Sequence, residues 1–79
     1  MTIQKAIGLR ISQLMNEQKM SQYELSKRST LEQSTIFHIL NEDTRLIKIQ
    51  TIIKIADAFG LSIKQFFDDK LFDKSNIEI

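Results

Sequence analysis

The stretch SQYELSKRSTLEQSTIFHILN, Ser21 to Asn41, reads as two short amphipathic segments with only Ser29 to Glu32 between them. No glycine or proline marks the break. Ser21 followed three residues later by Glu24 is a capping-box pattern, in which each side chain satisfies a backbone N–H of the other residue. Leu25 is the inward residue of the first segment, with Met20 packed beside its start, and Ser26 is small enough for a neighbouring helix to approach. The second segment predicts a helix that begins near Glu32 or Gln33. Ile36, Ile39 and Leu40 form its apolar face, and Gln33, Ser34, Phe37, His38 and Asn41 lie elsewhere around it.

On the N-terminal side, Ile3, Ile7, Ile11 and Leu14 recur at spacings of three and four, which predicts a helix of roughly four turns. Lys19 falls near its end, where a cation suits the helix dipole. On the C-terminal side, NEDTRLIK is a connection carrying charges of both signs. From Ile49 the pattern IQTIIKIADAF sets Ile52, Ile53, Ile55, Ala56 and Phe59 on a broad apolar surface, and Gly60 supplies a stop. Ser62 caps a short fifth helix through Phe67. The remaining DDKLFDKSNIEI has no clear period. The fold class is all-α, five helices with no strand and no internal repeat.

Composition narrows the function. At 79 residues the chain is one domain with a small core. The absence of cysteine excludes disulfide scaffolds and thiolate metal sites, and is compatible with a reducing cytoplasm. A single histidine has no second histidine or cysteine with which to share a metal. The start, MTIQKAIGLR, is amphipathic and does not read as a signal peptide, and no apolar run approaches the roughly 18 residues of a membrane span. Glu42-Asp43 and Asp68-Asp69 read as solvated charges, with no nucleophile–base pair or glycine-rich phosphate loop beside them, so no enzymatic activity or cofactor is expected. A net charge of +1 leaves a nucleic-acid partner open; only the placement of charge decides.

A capped short helix, a tight turn and a second short helix make a helix-turn-helix unit. Here four segments stand in order: Ile7-Gly8-x-Arg10-Ile11-x-x-Leu14; Met20-Ser21-Gln22-x-Glu24-Leu25-Ser26; Leu31-x-x-Ser34-Thr35-Ile36-x-x-Ile39-Leu40-Asn41; and Ile52-Ile53-Lys54-Ile55-Ala56-x-Ala58-Phe59-Gly60-Leu61-Ser62. Together they resemble the phage-repressor and Cro-like (XRE) family over about residues 7 to 67. The resemblance implies a five-helix, lambda-repressor-like DNA-binding domain over residues 1–67, with the helix-turn-helix at helices 2 and 3, and a C-terminal tail over 68–79. It implies that helix 3 enters the major groove of double-stranded DNA and that the chain works as a homodimer. It places base reading on Gln33, Ser34 and His38, and backbone holding on Arg10, Gln22, Asn41, Arg45 and Lys48.

The residues themselves suit those tasks. The Gln33 amide can pair bidentately with adenine N6 and N7, from a helix start, where recognition helices reach base edges first. His38 lies about 140° further round an ideal helix, at the flank of the reading face. Gln22 sits just inside the second helix, where its amide can meet a phosphate oxygen.

The sequence also departs from the family pattern. Thr30 stands where these proteins usually carry glycine, and a positive φ there strains a β-branched residue by roughly 1 kcal/mol or more. Phe37 occupies a position more often polar; it can contact a thymine methyl, pack against the following loop or sit exposed, and packing is the expectation. No lysine or arginine lies between Arg28 and Arg45, while Glu32, Glu42 and Asp43 do, so phosphate-neutralising cations flank helix 3 rather than sit on it. The expected function is a transcriptional regulator, a repressor, with no catalysis. The alternatives are a protein-interaction module of the same fold and an antitoxin that binds both an operator and a toxin. Phe66, Phe67, Leu71 and Phe72 are the candidates for a dimer contact.

Overall fold

The computed structural model describes residues 1–41 and 46–78. Within them the chain forms α1 (Ile3–Gln18), α2 (Gln22–Ser29), α3 (Gln33–Leu40), α4 (Ile49–Ala58) and α5 (Ile63–Phe67), followed by one 3-10 turn, Lys70–Phe72. There is no strand among the described residues.

Each boundary has a local cause. The Thr2 hydroxyl accepts from the Lys5 N–H at 3.1 Å and caps α1. The helix ends with Lys19 in the left-handed region (φ 51°), the Met20 N–H donating to Met15 O and the Lys19 N–H to Asn16 O. That is a Schellman closure made without glycine. Gly60 (φ 77°) closes α4 the same way, through Leu61 N–H to Ala56 O and Gly60 N–H to Asp57 O. Ser62 and Gln65 exchange both bonds of a capping box at the start of α5. At α2 only half of the expected box is present. The Ser21 hydroxyl accepts from the Glu24 N–H, but the Glu24 carboxylate turns to Arg28, 3.4 Å away.

The break between α2 and α3 puts Thr30 at φ 61°, ψ 21°. Hydroxyl groups brace this turn. The buried Ser29 hydroxyl donates to Leu25 O at 2.6 Å and accepts from the Leu31 N–H. The Thr30 hydroxyl donates to Ser29 O, and that of Ser26 donates to Leu31 O. Serine at position 26, where small size is needed, therefore also ties the turn to its own helix.

The core gathers Ile7, Ile11, Leu14, Leu25, Ile36, Ile39, Ile52, Ile55 and Phe66. α1 lies close against the end of α3: a Cβ on Gly8 would stand 3.0 Å from Ile39 O. Two apolar residues expected on inward faces point out. Ile3 belongs to the first turn of α1 and is 40% exposed. Ile53 is 48% exposed, because the single helical stripe of α4 that meets the core is filled by Ile52, Ile55 and Ala56.

The segment after residue 67 folds back on the helices. Phe66 is fully buried, and Phe67 and Phe72 pack against the core. Their three rings form a cluster with centroids 4.8–6.3 Å apart. The Asn76 amide donates to Lys70 O, and the Glu78 N–H to Met1 O. These aromatics, expected at a dimer contact, are thus occupied within the chain, and Leu71 beside them is half-buried.

Arg10 ties this segment down. It is 9% exposed. Its Nε donates to Phe66 O at 2.7 Å and its Nη2 to Gln65 O at 3.1 Å, so a cation caps the last carbonyls of α5. Its Nη1 donates to Gln13 Oε1 and to Asp69 Oδ2, the latter at 3.3 Å.

Three stability outcomes follow from these contacts, each read from a urea unfolding midpoint. Thr30→Gly removes the left-handed strain and is expected to stabilise by about 1 kcal/mol, whereas Ser29→Ala strips the buried turn of its hydroxyl and is expected to cost about 1–2 kcal/mol. Arg10→Met removes the side-chain donor to Phe66 O and the cation paired with Asp69, which keeps the Leu71 N–H, for an expected loss of roughly 2–3 kcal/mol.

Candidate nucleic-acid interface

Helix α3 divides its side chains cleanly. Ile36 and Ile39 are buried, Leu40 and Thr35 are half-buried, and Gln33, Ser34, Phe37 and His38 are exposed. The buried pair fixes the helix rotation, since residues three apart share a face. The three residues expected to read bases, Gln33, Ser34 and His38, therefore share one accessible surface. Glu32 is the N-cap but makes no side-chain capping bond; its carboxylate instead accepts from the Ser34 hydroxyl at 3.4 Å.

Phe37 does not pack as expected. It is 50% exposed on this same surface, its ring edge-on to His38 with centroids 5.6 Å apart and planes at 75°. The reason lies in the opposite face: Ile36 and Ile39 already fill the space that α1 and α2 leave for α3.

The backbone-holding set is dispersed. Gln22 is exposed at the first position of α2, beside the Ser21 cap. Asn41 is exposed at the end of α3, with its Nδ2 donating to Phe37 O at 2.7 Å, which commits one amide hydrogen to closing the helix. Lys48 is the N-cap of α4 and lines a small cleft of about 200 Å³ together with Thr35, His38 and Thr51. Folding thus brings a cation from after the loop to the flank of α3. Arg45 lies outside the described residues. Arg10 is the correction: its guanidinium faces inward, on α5 and Asp69, because helix C-terminal carbonyls and a carboxylate there need a donor, so it has little left to offer a phosphate.

One pair went unnoticed in the sequence. Lys27 Nζ lies 5.3 Å from the centre of the Tyr23 ring on the exposed side of α2, a cation–π contact between residues one turn apart. The i, i+4 spacing of an aromatic and a lysine was the available signal. With Arg28 on the same helix, these are α2's cations.

An exposed face of neutral polar groups on a short helix, braced against a second short helix and flanked by cations, is an arrangement for contacting a nucleic-acid groove and its phosphates. A family model described as a Cro/C1-type HTH DNA-binding domain matches residues 10–70. No curated protein matches the chain. The match takes in most of the sequence, and the chain belongs to the Cro/C1-type helix-turn-helix DNA-binding family.

Proposed function

We propose that this member of the family is a sequence-specific transcriptional regulator, a repressor that lays α3 in the major groove of double-stranded DNA as one half of a homodimer, in the cytoplasm. The observation that carries the reading is the outward position of Gln33, Ser34 and His38 on a helix whose opposite side is locked into the core. Gln33 reads an adenine edge through its amide, and Ser34 and His38 support it with hydroxyl and imidazole groups. Gln22, Asn41 and Lys48, with Arg45, hold the phosphates and set register. Lys27 and Arg28 add charge from α2.

The family's two-fold operators place half-sites one helical turn, about 34 Å, apart. The second copy needs an apolar surface, and Leu46 (86% exposed), Ile49 (55%) and Ile53 offer one around the start of α4. Residues 49 and 53 are one turn apart on α4, which makes them a ridge rather than scattered exposures.

Selection of bound duplexes from a random pool is expected to return a two-fold motif. On it, Gln33→Ala is expected to cost about 1–3 kcal/mol and relax preference at one base pair. Lys48→Ala should weaken all duplexes alike and shallow the salt slope by about 0.9. Complete absence of binding to random duplex at about 50 mM salt would instead favour the protein-interaction module. Sedimentation of an Ile49→Glu, Ile53→Glu double variant is expected to give the monomer mass; an unchanged dimer would move the interface elsewhere.

A further inference from the structure

We propose that Phe37 is a specificity residue that reads thymine, its ring packing on the 5-methyl group of a thymine in the major groove within about two base pairs of the one read by Gln33. The proposal rests on the groove placement of α3 put forward above, and it assigns to this helix an apolar readout that its polar residues do not supply.

Position comes first. On an ideal helix the direction opposite Ile36 and Ile39 falls roughly 50° from Phe37 and about 90° from Gln33. Phe37 therefore points more directly away from the core than the glutamine does. Half its surface is in water, although the core has taken three apolar neighbours from the same helix, Ile36, Ile39 and Leu40. This places one apolar contact group in the middle of the polar face.

The chemistry of the groove then selects the target. A phenyl ring neither donates nor accepts a conventional hydrogen bond. Among base edges in the major groove, the thymine methyl is the apolar feature. Gln33 and Phe37 are four residues apart, with Cβ atoms about 5–6 Å from each other. Base pairs rise about 3.4 Å, so the thymine lies within about two base pairs of the adenine that Gln33 reads.

The ring is also held in place. Its edge-on contact with His38 restricts how it turns. Its backbone is pinned by Asn41, whose main-chain N–H and side-chain Nδ2 both donate to Phe37 O, at 3.0 and 2.7 Å. An aromatic with two side-chain torsions, already in edge contact with His38, loses little freedom on binding.

The test replaces thymines one at a time by deoxyuridine, which removes the methyl and keeps every hydrogen-bonding group. The probe is the tightest duplex recovered from the random pool, titrated by fluorescence polarisation against the full chain, Phe37→Ala and Phe37→Leu. One thymine per half-site is expected to matter to the wild-type chain. Its loss should weaken binding about fourfold per half-site, the equivalent of one buried methyl at ~0.8 kcal/mol. Phe37→Ala should bind more weakly and be indifferent to that substitution, and Phe37→Leu should keep part of the sensitivity. Because the side chain stands outside the core, Phe37→Ala should unfold at the wild-type temperature by circular dichroism. Wild-type indifference to every deoxyuridine overturns the proposal, as does a Phe37→Ala variant as sensitive as wild type. If Gln33→Ala still loses base preference in that case, groove reading stands and Phe37 faces a protein instead. A pool that yields no enriched duplex overturns both readings.

Discussion

Everything that faces outward on α3 depends on the left-handed turn at Thr30. A helix that stops after eight residues and restarts three residues later must reverse its backbone sharply. Glycine would do this without strain. This chain does it with a threonine at φ 61° and surrounds it with hydroxyl groups from Ser26, Ser29 and Thr30 itself. The Thr30 hydroxyl satisfies Ser29 O, a carbonyl the helix end leaves open, and the buried Ser29 hydroxyl ties Leu25 O to the Leu31 N–H. With the turn set, Leu25 and Ser29 of α2 and Ile36 and Ile39 of α3 all point into one core. The outward face of α3 is then a consequence rather than an independent feature.

Electrostatics in this protein are divided between inside and outside. Arg10 is the buried cation, and it holds α1, α5 and Asp69 together. That use removes it from a supply already thin, since α3 carries no lysine or arginine and Glu32 adds a carboxylate at its start. Other cations stand on neighbouring elements, among them Lys27 over Tyr23 on α2, Arg28 paired with Glu24, and Lys48 at the start of α4. Amide, hydroxyl, imidazole and phenyl side chains offer directional or apolar contacts that salt screens little. Such a surface suits a reader whose selectivity rests on base edges more than on phosphates.

The sequence was legible wherever a residue's fate depended on neighbours within a turn or two. Ser62 with Gln65, Gly60 after Phe59, and the three-four spacing of Ile7, Ile11 and Leu14 all act over that range, and helices formed where they indicated. The inward stripe of α3, Ile36 and Ile39, was legible for the same reason. The Thr30 position was readable as strained, though not how hydroxyls would brace it.

Residues whose partners come from far along the chain were misread. Arg10 looks like a surface cation until α5 and Asp69, more than 50 residues away, arrive beside it. Ile53 looks like core until α4 is seen to meet its neighbours along one stripe only. Phe37 looks like packing until Ile36 and Ile39 have filled the space, and the aperiodic tail looks loose until Phe72 joins Phe66 and Phe67. The sequence by itself determined the helices, their ends and the family, because periodicity and capping act locally along the chain. Tertiary structure alone decided which cation is buried and which aromatic is exposed, because burial depends on what stands opposite, and that is set only when distant helices close around a finite volume.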